Sequence, residues 1–378
     1  MMSDPIPTKP AAARLAPLRE ALAGLRRIGR DIPEVDSFAL VAFSPVPLIV
    51  LGALAGGLFP WLALIWIAGA IFALDRLVAR AAPDAPEGSE FPAADRLSVA
   101  LAVAHFVLLL LVVAALAGLT HIGPAARLAL LLATGLYFGQ VSNANAHELI
   151  HRADKRLFVL GKWVYVSLLY GHHTSAHRLV HHRFVATPDD PNTAALGESF
   201  WSFAPRAWIG GFSAGWEMER ARLSARVEAR ATPEAPAAEA EAKPDLPDLP
   251  PRLRAGLSGL TPYFSYVLGG LWFTALFAVL FGWAGVLGYL LLCAYAQMQI
   301  LLADYVQHYG LTRKRLDEER YAPVTAAHSW DAPDPVSSLF MLNAPRHSDH
   351  HAHPARPYPA LRLGETEAPG RPILPRSL

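Results

Sequence analysis

Cysteine is almost absent: Cys293 is the only one in 378 residues. A disulfide within the chain is therefore excluded, as is a cysteine-ligated iron–sulfur or rubredoxin-like module. Any electrons the chemistry needs must come from a separate protein. Charge is also scarce, at 17% of residues against 53% hydrophobic, and the mean hydropathy is +0.27. That balance belongs to a membrane protein rather than to two soluble domains. With a formal net charge of +1 there is no basic field for a nucleic acid, and no such partner is expected.

Where the charges are missing locates the membrane. No Asp, Glu, Lys or Arg occurs in residues 37–74, 97–126, 128–147 or 255–303. A bilayer crossing takes about 20 apolar residues. The first and last stretches thus hold two crossings each and the middle two hold one each, which makes six. Turns inside the double stretches fall at residues 56–60 and 281–285, neither with a Lys or Arg. The opposite loops carry the positive charge: six Lys or Arg before Ser37, three in residues 75–96 and nine after Ala303. The positive-inside tendency then puts both termini in the cytoplasm of a multi-pass inner-membrane protein.

The expected organisation is all-α. Residues 1–36 are a cytoplasmic leader without a secretory signal's apolar core, 37–146 carry crossings one to four, and 255–303 carry crossings five and six. The polar stretches 147–222 and 304–378 are separated by an even number of crossings, so both lie on the cytoplasmic face and can build one site. Residues 223–252, rich in Ala, Pro and Glu, read as a solvated insertion, and the tail from Gly364 looks similarly loose. Trp61 and Trp66 are interface anchors or caps of a channel, the anchor being the simpler reading.

Thirteen of the fifteen histidines lie between His147 and His353. "HELIH" supplies His147 and His151, "HRLVHH" supplies His177, His181 and His182, and "HSDHH" supplies His347, His350 and His351. Residues three or four apart share a helix face, so each cluster can aim its ring nitrogens at one point. One such cluster arises easily by chance, whereas three just beyond membrane crossings on one face point to metal. Eight imidazoles exceed the four positions of a tetrahedral site, so at least two ions are implied. Imidazole alone does not choose among zinc, copper, nickel and iron. A neutral ligand set asks for nearby carboxylates to orient ring N–H groups, and Glu148, Asp349, Asp304 and the pair Asp189/Asp190 stand next to the clusters. His105, mid-crossing, needs a polar partner and is read as a helix-packing residue.

The stretches "NAHELIHR", "HRLVHHRFVATPDDP", "DYVQHYGL" and "NAPRHSDHHAHPARPYPALR" resemble the integral-membrane alkane monooxygenases, a family that includes the xylene monooxygenase hydroxylase component. The likeness runs from about Asp75 to Arg362. It implies six transmembrane helices under a cytoplasmic, histidine-rich di-iron cap, with nine ligands: His147, His151, His177, His181, His182, His308, His347, His350 and His351. His308, a lone histidine after the last crossing, enters only through the resemblance. So do two iron ions as cofactor and a reaction in which O₂ and two electrons from a soluble donor, such as rubredoxin with its NADH-dependent reductase, hydroxylate a C–H bond of a hydrocarbon fed from membrane lipid. Arg152, Ala176, Gln307 and the pair Ala344/Pro345 depart from the family's usual Lys, Glu, Glu and Leu-Gln, and none of these removes a ligand.

His172 and His173 are assigned a supporting place at best, His328 a structural one and His353 an exposed one. The nearest rival is a membrane fatty-acyl desaturase or hydroxylase with similar histidine boxes. A second is a zinc metalloprotease using "HELIH" with Glu148 as general base, which leaves most of the histidines unexplained. A third is a metal transporter, whose site would lie nearer the bilayer midplane.

Overall fold

The computed structural model describes residues 34–78, 84–231, 261–318, 320–364 and 370–375. The leader up to residue 33, residues 232–252 of the expected insertion and residues 253–260 lie outside the described residues, while residues 223–231 of that insertion continue a helix. The described residues are helical with no strand; only two isolated bridges occur, Arg315 with Tyr321 and Asp331 with Ile373.

Among the described residues, five helical stretches are long and apolar enough to cross a membrane. The first, Val35–Ala55, is α1 (Glu34–Phe43) and α2 (Val46–Ala55), interrupted at Pro45, where an N–H is missing. Next come α3 (Phe59–Leu77), α4 (Pro92–Leu116), α5 (Pro124–Ile150) and α9 (Pro262–His308). Between α5 and α9 lie α6 (Lys155–Ser167), α7 (residues 173–184) and α8 (Phe200–Ala231), and after α9 come the short α10 (Pro335–Phe340) and α11 (His347–Ala352). Six crossings were expected where five stretches are counted, because the last pair is one run of 47 residues. At 1.5 Å per residue that run is about 70 Å long, more than twice a hydrocarbon core of about 30 Å. It breaks at Gly282, with φ 64° and ψ −161°, a conformation open to glycine alone and inside the expected turn at 281–285.

The chain doubles back after α5, and α6 packs among α4, α5 and α9. Away from water, the carbonyls at its C-terminus need donors. Tyr289 Oη of α9 donates to Ser167 O at 2.8 Å, and Gln297 Nε2 donates to Leu168 O at 2.7 Å. Ser167 Oγ also lies 2.9 Å from His105 Nε2, so the mid-crossing histidine is a helix-packing residue as expected. α5 and α9 meet through glycine: a Cβ on Gly139 would sit 2.3 Å from Gln299 Cβ. Trp61 is 40% exposed on the bundle surface, and Trp66 donates to Ser44 Oγ at 2.7 Å.

Beyond the crossings, Asp75 at the end of α3 holds α10. Its carboxylate accepts from the N–H groups of Val336 (2.7 Å) and Ser337 (3.1 Å) and from the Ser337 hydroxyl, satisfying donors that a helix N-terminus leaves free.

Candidate metal centre

All nine histidines expected as ligands converge, in two groups. His147, His151, His177, His182 and His350 form one; His181, His308, His347 and His351 form the other. Within each group the candidate ligand nitrogens lie within 4.8 Å of one another.

The boxes do not map onto the groups one to one, as helical spacing alone suggested. Residues 177–181 form a π-turn, in which hydrogen bonds run between residues five apart. His177 and His182 therefore face the same point, their Nε2 atoms 2.9 Å apart, while His181 turns to the other group. In α11, His347 and His351 share the four-membered group and His350 joins the five-membered one. One box thus bridges both groups at each of two places.

Nearly all contacts are between Nε2 atoms: His147 to His177 at 2.7 Å, His350 to His182 at 3.1 Å, His347 to His308 at 3.0 Å and His351 to His347 at 3.1 Å. His177 Nε2 faces two such neighbours, and a neutral ring nitrogen has only one hydrogen or one lone pair to offer. Among the described residues, His151 Nε2 and His181 Nε2 are buried without a hydrogen-bond partner. A metal ion about 2.1 Å from two nitrogens at right angles holds them about 3.0 Å apart, so the donor set fits one cation in each group. Burial first, then repulsion among the neighbouring rings, holds His177, His182, His347, His350 and His351 well below the ordinary imidazole value, which keeps their lone pairs free.

His181 is the exception. Burial lowers it, but the charge and hydrogen bond of Asp190 more than offset that and leave it raised, with Asp190 correspondingly lowered. His181 Nδ1 lies 2.8 Å from Asp190 Oδ2, and that carboxylate also accepts from Thr193 Oγ1 (2.7 Å) and Asn192 N (3.0 Å). This is the carboxylate–histidine arrangement that fixes a ligating ring's tautomer. Likewise, His308 Nδ1 is 3.1 Å from the carbonyl of His328, whose own ring accepts from Thr325 N.

Of the five carboxylates expected to orient the rings, Glu148, Asp349 and Asp304 make no hydrogen bond to a ring of either group among the described residues. Glu148 pairs with Arg152 at 3.1 Å and accepts from Tyr358 N at 3.2 Å. Asp349 takes both of its short bonds, 2.6 Å each, from Arg356, and accepts from Arg362 N; its one ring contact is to the exposed His353. Asp304, buried one turn before His308, accepts from Asn192 Nδ2 at 2.6 Å. Of the DD pair in "ATPDDP", Asp190 is buried and Asp189 is exposed. Among the described residues, direct hydrogen bonding of a carboxylate to one of the nine clustered rings thus falls to Asp190.

A cavity of about 550 Å³ reaches both groups: His147, His177 and His347 line it, together with His173 and Asp304. Its apolar walls come from Ile67, Ile71 and Phe72 of α3, Leu136 of α5, Ile300 of α9 and Phe340 of α10. Neither Trp61 nor Trp66 lines it. His173 stacks on Tyr170, ring centroids 5.0 Å apart, while His172 packs against Trp208.

The chain matches the fatty acid desaturase family over residues 122–368, a span that takes in all nine histidines. That defines the class: a multi-pass membrane oxidoreductase with a histidine-rich metal centre. It is 30% identical over 336 residues to alkane 1-monooxygenase 2 of Pseudomonas aeruginosa, covering 85% of this chain and 81% of that one. Alkane 1-monooxygenase of Ectopseudomonas oleovorans is 34% identical over 251 residues, covering 65% and 54%, and alkane 1-monooxygenase 1 of Alcanivorax borkumensis is 33% identical over 238 residues, covering 62% and 52%. The chain belongs to the integral-membrane alkane monooxygenase family, whose members are non-haem di-iron hydroxylases.

Proposed function

We propose that this protein hydroxylates a terminal C–H bond of an alkane or related hydrocarbon, using O₂ and two electrons delivered by a soluble donor of the rubredoxin type. The observation that carries the reading is the pair of convergent Nε2 groups, five and four, opening onto one largely apolar cavity. Two irons held by the nine histidines would supply the redox chemistry that activates O₂, which redox-inert zinc would not.

The chain's own residues do the rest. Asp190 and the His328 carbonyl hold His181 and His308 with their Nε2 atoms turned inward. Ile67, Ile71, Phe72 and Leu136 orient an apolar chain and keep water from the centre. Of the five carboxylates expected near the rings, Asp304 lines this cavity, where it presents a polar edge beside the reacting end. The break at Gly282 supports reading α9 as two crossings, and hence six in all. Together with the charge distribution, that supports reading both termini and the centre as lying at the cytoplasmic face of the inner membrane, within reach of a soluble donor.

The fatty acid desaturase match keeps one rival in play, an acyl desaturase or hydroxylase. A protease reading is disfavoured because Glu148 is tied to Arg152 and Tyr358 and does not line the cavity. Membranes carrying the protein, supplied with a rubredoxin, its reductase and NADH, are expected to convert octane to 1-octanol and to leave an acyl-CoA unchanged. Acyl desaturation without alkanol would overturn the proposal.

A further inference from the structure

We propose that the C-terminal segment 371–374 is a wall of the hydrocarbon cavity, and that Leu374 is one of the residues setting which substrates the cavity accepts. This deepens the proposed function and rests on it for the nature of the substrate. By sequence the tail from Gly364 reads as loose, with no such role expected of it. The structure corrects that for residues 370–375.

Three links tie the segment to Asp331. Arg371 Nε donates to Asp331 Oδ2 at 2.6 Å, Asp331 N donates to Pro372 O at 3.1 Å, and Leu374 N donates to Asp331 O at 2.8 Å, so residues 331 and 373 form a parallel bridge. The ion pair is buried, with 8% of the Arg371 side chain and none of that of Asp331 exposed, so it is little screened by water. A segment with no helix or strand of its own is thereby held at one place. That place is the cavity: Leu374 lines it together with Trp330, Ala332, Phe340 and Met341. The other face of Asp331 accepts from Ser348 N at 2.8 Å and from the Ser348 hydroxyl. The wall is therefore fastened to the first turn of α11, the helix that carries His347, His350 and His351.

An apolar wall residue acts on selectivity through the space it occupies. A single methylene of fit in a hydrophobic pocket changes discrimination by roughly 10–200-fold. Leu374→Trp is expected to shift the ratio of kcat/KM for octane over dodecane by at least about 10-fold toward octane, and Leu374→Ala to shift it the other way.

A second readout does not need turnover. Cys293 is buried, so Leu374→Cys supplies one reactive thiol in the full-length, metal-loaded protein. Maleimide labelling at that position in nanodiscs is expected to slow at least fivefold when dodecane is added. The exposed neighbour, as Pro375→Cys, should label at the same rate with and without it. Labelling of Leu374→Cys that ignores dodecane would overturn the segment's place in the cavity wall. An octane-to-dodecane ratio unmoved by both Leu374→Trp and Leu374→Ala would overturn its role in selectivity. A wild-type protein inactive on every alkane would instead overturn the reaction proposed above, and the labelling would still decide the wall.

Discussion

Replacing His347 by alanine is expected to halve the metal content, from two ions per chain to one, and to lower alkanol formation by more than about 100-fold. His347 is the hub of the four-membered group: its Nε2 is 3.0 Å from His308 and 3.1 Å from His351. Removing it leaves three imidazoles, fewer than a closed tetrahedral set, while the five-membered group keeps every member. Loss of a residue that only orients a ligand typically costs 10–100-fold in metal affinity or activity, so loss of a ligand should cost more. His353→Ala is the matched control. That ring is exposed, its contact is to Asp349, and both ions should remain. Elemental analysis of the purified variants decides the matter. Two ions retained in His347→Ala would show that the grouping is wrong.

Asp190→Ala is expected to lower the affinity of the four-membered group for its ion, and the activity, by about 10–100-fold. The carboxylate is buried and accepts from the His181 ring, Thr193 and Asn192, so it fixes which ring nitrogen of His181 carries the proton. Without it, burial is opposed only by the charge of Asp304, and the pKa of His181 should fall. Competition with a chelator checks this separately from turnover: one of the two ions should leave the variant faster, and the other at the wild-type rate. Asp189→Asn, next in sequence but exposed, should behave as wild type. Asp190→Asn keeps the shape while removing the charge, so an intermediate loss is expected.

Much of the fold was legible because the bilayer imposes a simple rule. Charge-free runs of sufficient length fall on the long apolar helices, and inside the expected turn at 281–285 the helix breaks at Gly282, where the backbone adopts a conformation only glycine tolerates. Eight of the nine converging histidines were legible from spacing. His308 was not, because a single histidine at a helix end carries no periodicity, and only the motif around it made it a candidate. The division into five and four was also hidden. It depends on a π-turn at residues 177–181, and "HRLVH" contains nothing that distinguishes a π-turn from an α-turn.

The carboxylates show a different limit. Glu148 and Asp349 stand beside histidines in sequence, but on a helix adjacent residues point about 100° apart, so they face Arg152 and Arg356 instead. Asp190 reaches His181 from nine residues away because the turn after α7 folds back on the π-turn. The tail at 370–375 was misread for a related reason. Its anchor, Asp331, lies 40 residues earlier, and a buried ion pair across that distance leaves no local pattern.

The central claim is that nine imidazoles hold two iron ions at the end of a hydrocarbon cavity. An anomalous difference map of the iron-loaded protein, collected at the iron edge, tests it most directly. Two peaks are expected, one among His147, His151, His177, His182 and His350 and the other among His181, His308, His347 and His351. A single peak, or signal only at the zinc edge, would contradict the account.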